Sequence, residues 1–291
     1  MKPAPFEYLS PKTTEAALDL LATHGSDARI LAGGQSLVPL LNFRMARFKY
    51  LVDINGIAEL DYIKLDNDML RIGALTRYRT IETSAVVAHA APLLAEATQH
   101  VAHLPIRTRG TIAGSLAHAD PAGEYAAVML ALDGSVVVKS KSDHRTTQIG
   151  EFIQGMFTTD LNPDEMIVEV LVPQARGNQV FGFEEFARRP GDLAVVGIAL
   201  RIDFDSYDGI EDARIVALGG SNGASRIAAS EVEIKGHGLT VDQIERACRA
   251  AAEVDMHSDI HATAELRRHL CSALLKRVLL KAQRREREAG T

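Results

Sequence analysis

Tryptophan is absent from the 291-residue chain, and cysteine occurs only twice. Cys248 and Cys271 both fall in apolar stretches with helical spacing, so neither a disulfide framework nor a cysteine-ligated metal is supported, and two thiols are too few for a four-cysteine iron–sulfur cluster. A reducing compartment is expected. No run reaches the roughly 18 uninterrupted apolar residues of a membrane span, and Met1–Glu7 lacks the basic-then-apolar plan of an export signal; the expectation is a cytoplasmic protein without a membrane span. Charge of one sign is scarce too. The net −6 is spread along the chain, which argues against a nucleic-acid surface and leaves small molecules or other proteins as partners. The common nucleotide signatures are missing: there is no G-x-G-x-x-G opening a helix and no G-x-x-x-x-G-K-[ST] with its phosphate lysine. Repeats and low-complexity segments are absent, and only Arg284–Thr291 is charged enough to fray.

What is present is a large apolar fraction, 46%, in a chain longer than one compact core usually needs, so two domains are expected. Thr13 and Thr14 are candidate caps for an amphipathic helix broken near Gly25. Arg29–Ala32 and Tyr50–Ile54 read as strands, as do Leu70–Ala74, Ser135–Lys139 and Met166–Val172. Pro92–His103 reads as a buried helix and Ala126–Leu132 as a short one. The polar stretch Gln174–Gln179 ends this alternation, and the domain boundary is placed there. Beyond it, Ala194–Phe204 and Ala213–Leu218 predict a small antiparallel sheet with a turn at Asp205–Gly209. The helices Val241–Val254, capped by Thr240, and Ala264–Gln283, with a Leu266, Leu270, Leu274, Leu275, Val278 stripe, complete an α+β domain. Arg267, Arg268, Arg284 and Arg285 read as a solvated helix face.

Chemistry concentrates in two loops. Ala32-Gly33-Gly34-Gln35-Ser36 follows a strand directly, so its consecutive glycines can take positive φ and expose backbone N–H groups, while Gln35 and Ser36 add neutral donors. An anionic phosphate suits such a nest, and a tight turn explains the same residues equally well. The second loop, Arg109 to Glu124, places small residues at Gly110, Ala113, Gly114, Ala117 and Ala119 and hydroxyls at Thr111 and Ser115, as expected where backbone closely approaches a ligand. Asp120-Pro121 is expected to open the next helix, with Asp120 as its cap. Asp120 and Glu124 either accept from ribose or ribityl hydroxyls or merely stabilise that helix start.

The pair of loops resembles the FAD-binding medium subunit of the xanthine dehydrogenase and carbon monoxide dehydrogenase family. The resemblance runs over almost the whole chain, through Phe6-Glu7-Tyr8, Ala32 to Arg44, Val52-Asp53-Ile54, Ile72-Gly73-Ala74, Gly110 to Ser115, Asp164-Glu165 and Arg188-Arg189-Pro190-Gly191-Asp192. It implies an α+β protein: a two-subdomain FAD-binding fold of the vanillyl-alcohol-oxidase type over residues 1–175, divided at about 57/58. A C-terminal domain over 176–291, with a three-stranded sheet and a helical bundle, would follow. The same resemblance implies cofactor contacts from Ala32, Gly33, Gly34, Gln35, Ser36 and Leu37, from Ala102 and Ile106, and from Gly110, Thr111, Ala113, Gly114 and Ser115. Asp120 and Glu124 would lie near the cofactor's polar chain, and Leu161 and Ile167 would flank its apolar parts. Molybdopterin and two [2Fe–2S] clusters are expected in a large and a small partner subunit, in a dimer of heterotrimers, with electrons passing to FAD and on to an external acceptor. Substrate chemistry would then take place on another chain, so no residue here is assigned as catalytic.

Two departures from the family stand out. Where many relatives have a double glycine and Asn, this chain has Ala113-Gly114-Ser115, placing a methyl against the cofactor and a shorter donor beside it. Where several have an aromatic flavin cover after Arg188 to Asp192, it has Leu193. His100, His103 and His118 lie near the second loop without zinc-motif spacing and read as structural or solvent-facing, with His118 the one candidate for touching flavin or acceptor. His257 and His261, spaced i,i+4, lack the glutamate of a metalloprotease motif. A self-sufficient flavin oxidoreductase of related fold and a non-enzymatic binding protein are the competing readings.

Overall fold

The computed structural model describes residues 2–207 and 209–289. The first helix, Thr14–His24, starts where the Thr13 hydroxyl accepts from the Ala16 N–H and stops at Gly25. Its buried Ala17, Leu18 and Leu21 lie in one core cluster with Val52 and Ile54; each leucine so buried contributes about 1.5–3 kcal/mol. The sheet it covers is parallel and three-stranded, in the order Glu7–Leu9, Tyr50–Asp53, Ala28–Leu31.

The second sheet is antiparallel and five-stranded, with Ile63–Asp66, Met69–Gly73, Met166–Pro173, Ser135–Lys139 and His144–Gln148 in that order. Its three central strands are those expected from the apolar runs. The edge strands IKLD and HRTTQ were missed because they are mostly exposed and polar, as edges exposed to solvent tend to be. The helix expected over Pro92–His103 ends at Thr98, and left-handed Ala102 (φ +46) turns the chain into a separate short helix, Leu104–Arg107.

A further correction concerns Asp120. It does not cap a helix: its carboxylate accepts from the Ala122 N–H at 2.9 Å and its carbonyl from the Gly123 N–H at 2.9 Å, so Asp120–Gly123 is an Asx-type turn. The helix Glu124–Ala131 begins four residues later, after Gly123, and Pro121 stands outside it.

The C-terminal sheet has four strands, where the family resemblance implied three. Gln179–Phe186, Val196–Phe204, Ile210–Gly220 and Gly223–Arg226 form an antiparallel meander. The added strand is short and half polar, and it exists because the chain doubles back tightly enough to pair Gly220 with Gly223. All nine residues of Val196–Phe204 are buried, since both sheet faces are covered. Phe181, Phe183, Ala199 and Val216 join Leu94 and Val128 in the core of the preceding sheet. Ile198, Leu200 and Ile215 pack with Leu274, Leu275 and Val278 of the last helix, Ala264–Ala289, and with Ala247 and Cys248 of Val241–Ala251.

The last helix corrects two expectations. Leu266, at 44% exposure, lies off the buried stripe. Arg267 is not on a solvated face: it is 4% exposed, donates to the carbonyls of Val195 and Gly219, and pairs with Asp259 at 2.7 Å. One arginine in the row thus turned inward to meet strand-end carbonyls, a distinction that composition does not encode.

Candidate cofactor site

The strand Ala28–Leu31 delivers the first loop to the second, and the two touch. A Cβ on Gly33 would stand 2.4 Å from the Arg109 carbonyl oxygen and 2.8 Å from the Gly110 Cα. Gly33 is therefore a close-approach glycine, whereas Gly34 alone of the pair takes the left-handed region, at φ +72. Among the described residues, the N–H groups of Gly33, Gly34, Gln35 and Ser36 have no hydrogen-bond partner in the chain. Four successive donors facing no acceptor are the composition of an anion cradle. Gln35 is partly spent within the loop, its amide donating to the Gly33 carbonyl at 3.1 Å. Ser36 is exposed and its hydroxyl does not cap the short helix Leu37–Asn42.

Beside this loop lies a cavity of about 370 Å³ whose walls include Ala32, Gly34, Val38, Asn55, Ile106 and Arg109. Residues absent from the sequence-based list frame it. Asn55 donates to the Ala32 carbonyl at 2.9 Å and to Asp53, and accepts from Arg77 at 2.6 Å; Arg77 also donates to the Arg109 carbonyl at 2.5 Å. This chain of bonds ties the carbonyl at the start of one loop to the carbonyl at the start of the other. Burial pushes Asp53 up, but hydrogen bonds from Tyr8 and Asn55 outweigh it and hold its carboxyl below the usual range. Burial holds the Arg77 guanidinium below its ordinary value, with Arg109 beside it adding to the effect. Only the Val52-Asp53-Ile54 string hinted at this framework in the sequence; the pairing of Asn55 with Arg77 had no local signal.

Replacing Arg77 by Met is expected to weaken binding of the FAD that the family resemblance implies about tenfold or more, since bonds from a charged donor are worth roughly 1.5–3 kcal/mol each, with a smaller fall in thermal midpoint. Fluorescence titration of FAD into the apo chain measures it; unchanged affinity would remove Arg77 from the loop framework.

The second loop is more embedded than expected. Thr111 is 1% exposed, and its oxygen caps its own helix, Ile112–His118, by accepting from Gly114 N–H at 3.2 Å. Ala113 is buried in the core with Ile112 and Leu116, so internal packing accommodates its extra methyl. Gly110 packs on Tyr78, whose N–H it accepts at 3.0 Å. Gly114 and Ser115 keep partial exposure, with the Tyr78 hydroxyl beside Ser115. Ala102 serves the adjoining turn, its carbonyl accepting from Arg107 at 2.7 Å. Leu161 is half-buried and Ile167 is 5% exposed in the central core. The His118 ring meets Phe157 at a tilt of 51°, with centroids 5.1 Å apart, and burial holds its imidazole below the ordinary value. The His103 ring lies against Gly191, and Leu193 is 69% exposed.

A row of unpartnered donors beside a cavity, with no Rossmann or P-loop motif, marks this as a protein suited to bind the anionic part of a ligand between its glycine loops. The comparisons sharpen that class. Residues 4–175 match the FAD binding domain in molybdopterin dehydrogenase, and residues 181–282 match the CO dehydrogenase flavoprotein C-terminal domain. The chain is 42% identical to the 6-hydroxypseudooxynicotine dehydrogenase complex subunit alpha of Paenarthrobacter nicotinovorans, over 99% of this chain and 97% of the relative. It is 38% identical to the caffeine dehydrogenase subunit beta of Pseudomonas sp. (strain CBB1), over 97% and 96%. Its structure superimposes on a chain of the carbon monoxide dehydrogenase of Hydrogenophaga pseudoflava with a TM-score of 0.94 at 32% identity, covering 98% of this chain and 99% of that one. The chain belongs to the FAD-binding medium subunits of the molybdenum hydroxylases. FAD is its cofactor, and the family's molybdopterin and iron–sulfur cofactors reside in other subunits.

Proposed function

We propose that this chain is the electron-relaying FAD subunit of a hydroxylase acting on an N-heterocyclic compound, assembled with a small iron–sulfur and a large molybdopterin subunit as a dimer of heterotrimers. The observation that carries the FAD site is the row of unpartnered donors at Gly33–Ser36 held against Gly110 by Asn55 and Arg77. Relatives named for caffeine and for a hydroxylated nicotine derivative support the substrate class.

Bound here, FAD supplies the junction between single-electron delivery from iron–sulfur clusters and two-electron reduction of an external acceptor. The residues of this chain bind and orient. The Gly33–Ser36 N–H groups and the Ser36 hydroxyl hold pyrophosphate oxygens, with Arg109 adding positive charge at the cavity wall. Ser115, with the helix Ile112–His118 behind it, supports the same cofactor from the opposite loop, and Ile106 offers an apolar wall. Leu193, exposed to solvent, offers no aromatic ring where the family resemblance implies a flavin cover. The division at 175/176 marks a change of role from holding FAD to supporting that half, and the two family matches flank it. The two cysteines, free and buried, accord with a cytoplasmic setting.

The isolated chain is expected to carry close to one FAD, no molybdenum or iron, and no activity on N-heterocycles. The complex from its native host should contain two unlike partner chains with both metals. Substrate turnover by the isolated flavoprotein would overturn the relay assignment in favour of a self-sufficient oxidoreductase.

A further inference from the structure

Where the parallel ladder ends, a side chain takes over from the backbone. The Leu31 carbonyl accepts from the Ile54 N–H at 3.1 Å, and the next carbonyl, that of Ala32, accepts from the Asn55 side-chain amide at 2.9 Å. The Ala32 C=O and the Gly33 N–H belong to one planar trans peptide unit and point in opposite directions. Holding that carbonyl on Asn55 therefore fixes the direction of the Gly33 N–H, the first of the unpartnered donors at Gly33–Ser36.

The Asn55 amide can do this in one orientation only. Its second N–H donates to Asp53 Oδ1 at 2.5 Å, and its Oδ1 accepts from Arg77 Nη2 at 2.6 Å. A carboxylate only accepts and a guanidinium only donates, so a flipped amide would set oxygen against oxygen and N–H against N–H. Asp53 is itself held from two sides. Its Oδ1 also accepts from the Asn55 backbone N–H at 2.9 Å, and its Oδ2 accepts from the hydroxyl of Tyr8, on the edge strand Glu7–Leu9. Tyr8 is 55% exposed, so its ring adds little to the core, and its hydroxyl reaches across 45 positions of sequence to this carboxylate.

We propose that Asp53, steadied by Tyr8, is a positioning residue for the cofactor: its carboxylate holds the Asn55 amide in the orientation that presents the Gly33 N–H. The proposal rests on the Gly33–Ser36 loop being part of the FAD site. Among the described residues, the titratable and charged groups around Asp53 are Tyr8 from the first strand, Arg109 from the second loop and, across Asn55, Arg77, which Asp61 also influences. Burial pushes the Asp53 carboxyl up, but the Tyr8 hydroxyl, the Asn55 donors and Arg109 hold it below the ordinary carboxylate range. A carboxyl lowered in the folded state contributes stability above its ordinary value and loses it as pH falls through the folded one. FAD affinity is expected to follow the same sign. Removing the Tyr8 hydroxyl takes away the strongest of the lowering contacts, so the acid loss should begin at a higher pH.

The test titrates FAD into the full chain as wild type, Tyr8→Phe, Asp53→Asn and the double variant, from about pH 3.5 to 8. Circular dichroism at each pH confines the comparison to folded chain, and NMR follows the Asp53 carboxyl without FAD. At pH 7, Tyr8→Phe is expected to weaken FAD binding about threefold, and Asp53→Asn about tenfold, because a neutral amide at position 53 no longer forbids the flipped Asn55. The double variant should bind as Asp53→Asn does, since the hydroxyl acts through the carboxylate. In Tyr8→Phe the acid fall in affinity and the Asp53 titration should both move to higher pH; in Asp53→Asn the acid fall should vanish. Additive losses in the double variant, or an Asp53→Asn chain with wild-type affinity and acid fall, overturn the proposal. A wild type that takes up no FAD at any pH, while its Asp53 titration still moves on Tyr8→Phe, would instead overturn the loop's assignment to the cofactor.

Discussion

Replacing Gly33 by alanine is expected to abolish FAD retention, lowering affinity on the order of 100-fold while costing the fold about 1–3 kcal/mol. The added methyl would meet two backbone groups, the Arg109 carbonyl oxygen at 2.4 Å and the Gly110 Cα at 2.8 Å, and backbone held in a turn cannot swing aside as a side-chain end can. The loops would have to separate, pulling the free N–H groups of Gly33–Ser36 away from Ser115. Gly34→Ala is the informative control. It suffers the strain of φ +72, about 1–3 kcal/mol, but its Cβ meets only Val38 Cγ2 at 3.1 Å and Leu31 Cδ1 at 3.2 Å. Its flavin loss should be the milder one. Flavin released per chain on denaturation, read with the thermal midpoint, separates the two; near-stoichiometric FAD in Gly33→Ala with an unshifted midpoint would refute the abutting-loop geometry.

Arg267→Met should be the most destabilising single change outside the cofactor site, on the order of 3–5 kcal/mol, because removing one partner leaves the other buried groups unsatisfied. The carbonyls of Val195 and Gly219 would lose their donor, and Asp259 its pairing cation. Burial pushes the Asp259 carboxyl up, yet the N–H groups of Ala262 and His261, with Arg267, bring it down to about 2. A carboxyl lowered in the folded state contributes stability above its unfolded value and loses it as pH falls through the folded one. Arg267→Met should therefore raise the Asp259 value and move acid unfolding to higher pH. Denaturant unfolding of the FAD-loaded chain at pH 7 and pH 4 measures both effects, and a variant as stable as Arg268→Met at both would return Arg267 to the solvated face.

Elements with strong periodicity were legible because the period follows directly from which residues touch the core. The helix Thr14–His24 with its Thr13 cap, the central strands Met69–Gly73 and Ser135–Lys139, and Val241–Ala251 capped by Thr240 all carry that signal. The edge strands Ile63–Asp66 and His144–Gln148 carry none, since one solvated side and no partner beyond them leave polar residues free to occur. In the site, the glycine loops were visible as composition, but their separate tasks were not. Gly33 yields space to another backbone, Gly34 supplies a left-handed turn, Thr111 caps its own helix and Ala113 fills the core. Asp120 was misread because an Asx turn and an N-cap use the same carboxylate-to-N–H bond, and only the backbone beyond shows which one was made.

The sequence by itself determined that this is a two-part α+β protein with two phosphate-suited loops, too few cysteines for a cluster of its own, and the motif string of a FAD-bearing medium subunit. These are properties of composition, local period and ordered motifs, which a linear chain displays openly. Tertiary structure alone decided that Asn55 and Arg77 lock the loops together, and that Arg267 turns inward to the carbonyls of Val195 and Gly219 while Arg268 beside it stays only partly buried. Asn55 and Arg77 stand 22 positions apart and Arg267 and Val195 72, distances at which no local preference acts, so only the packing of sheets and helices determines that they meet.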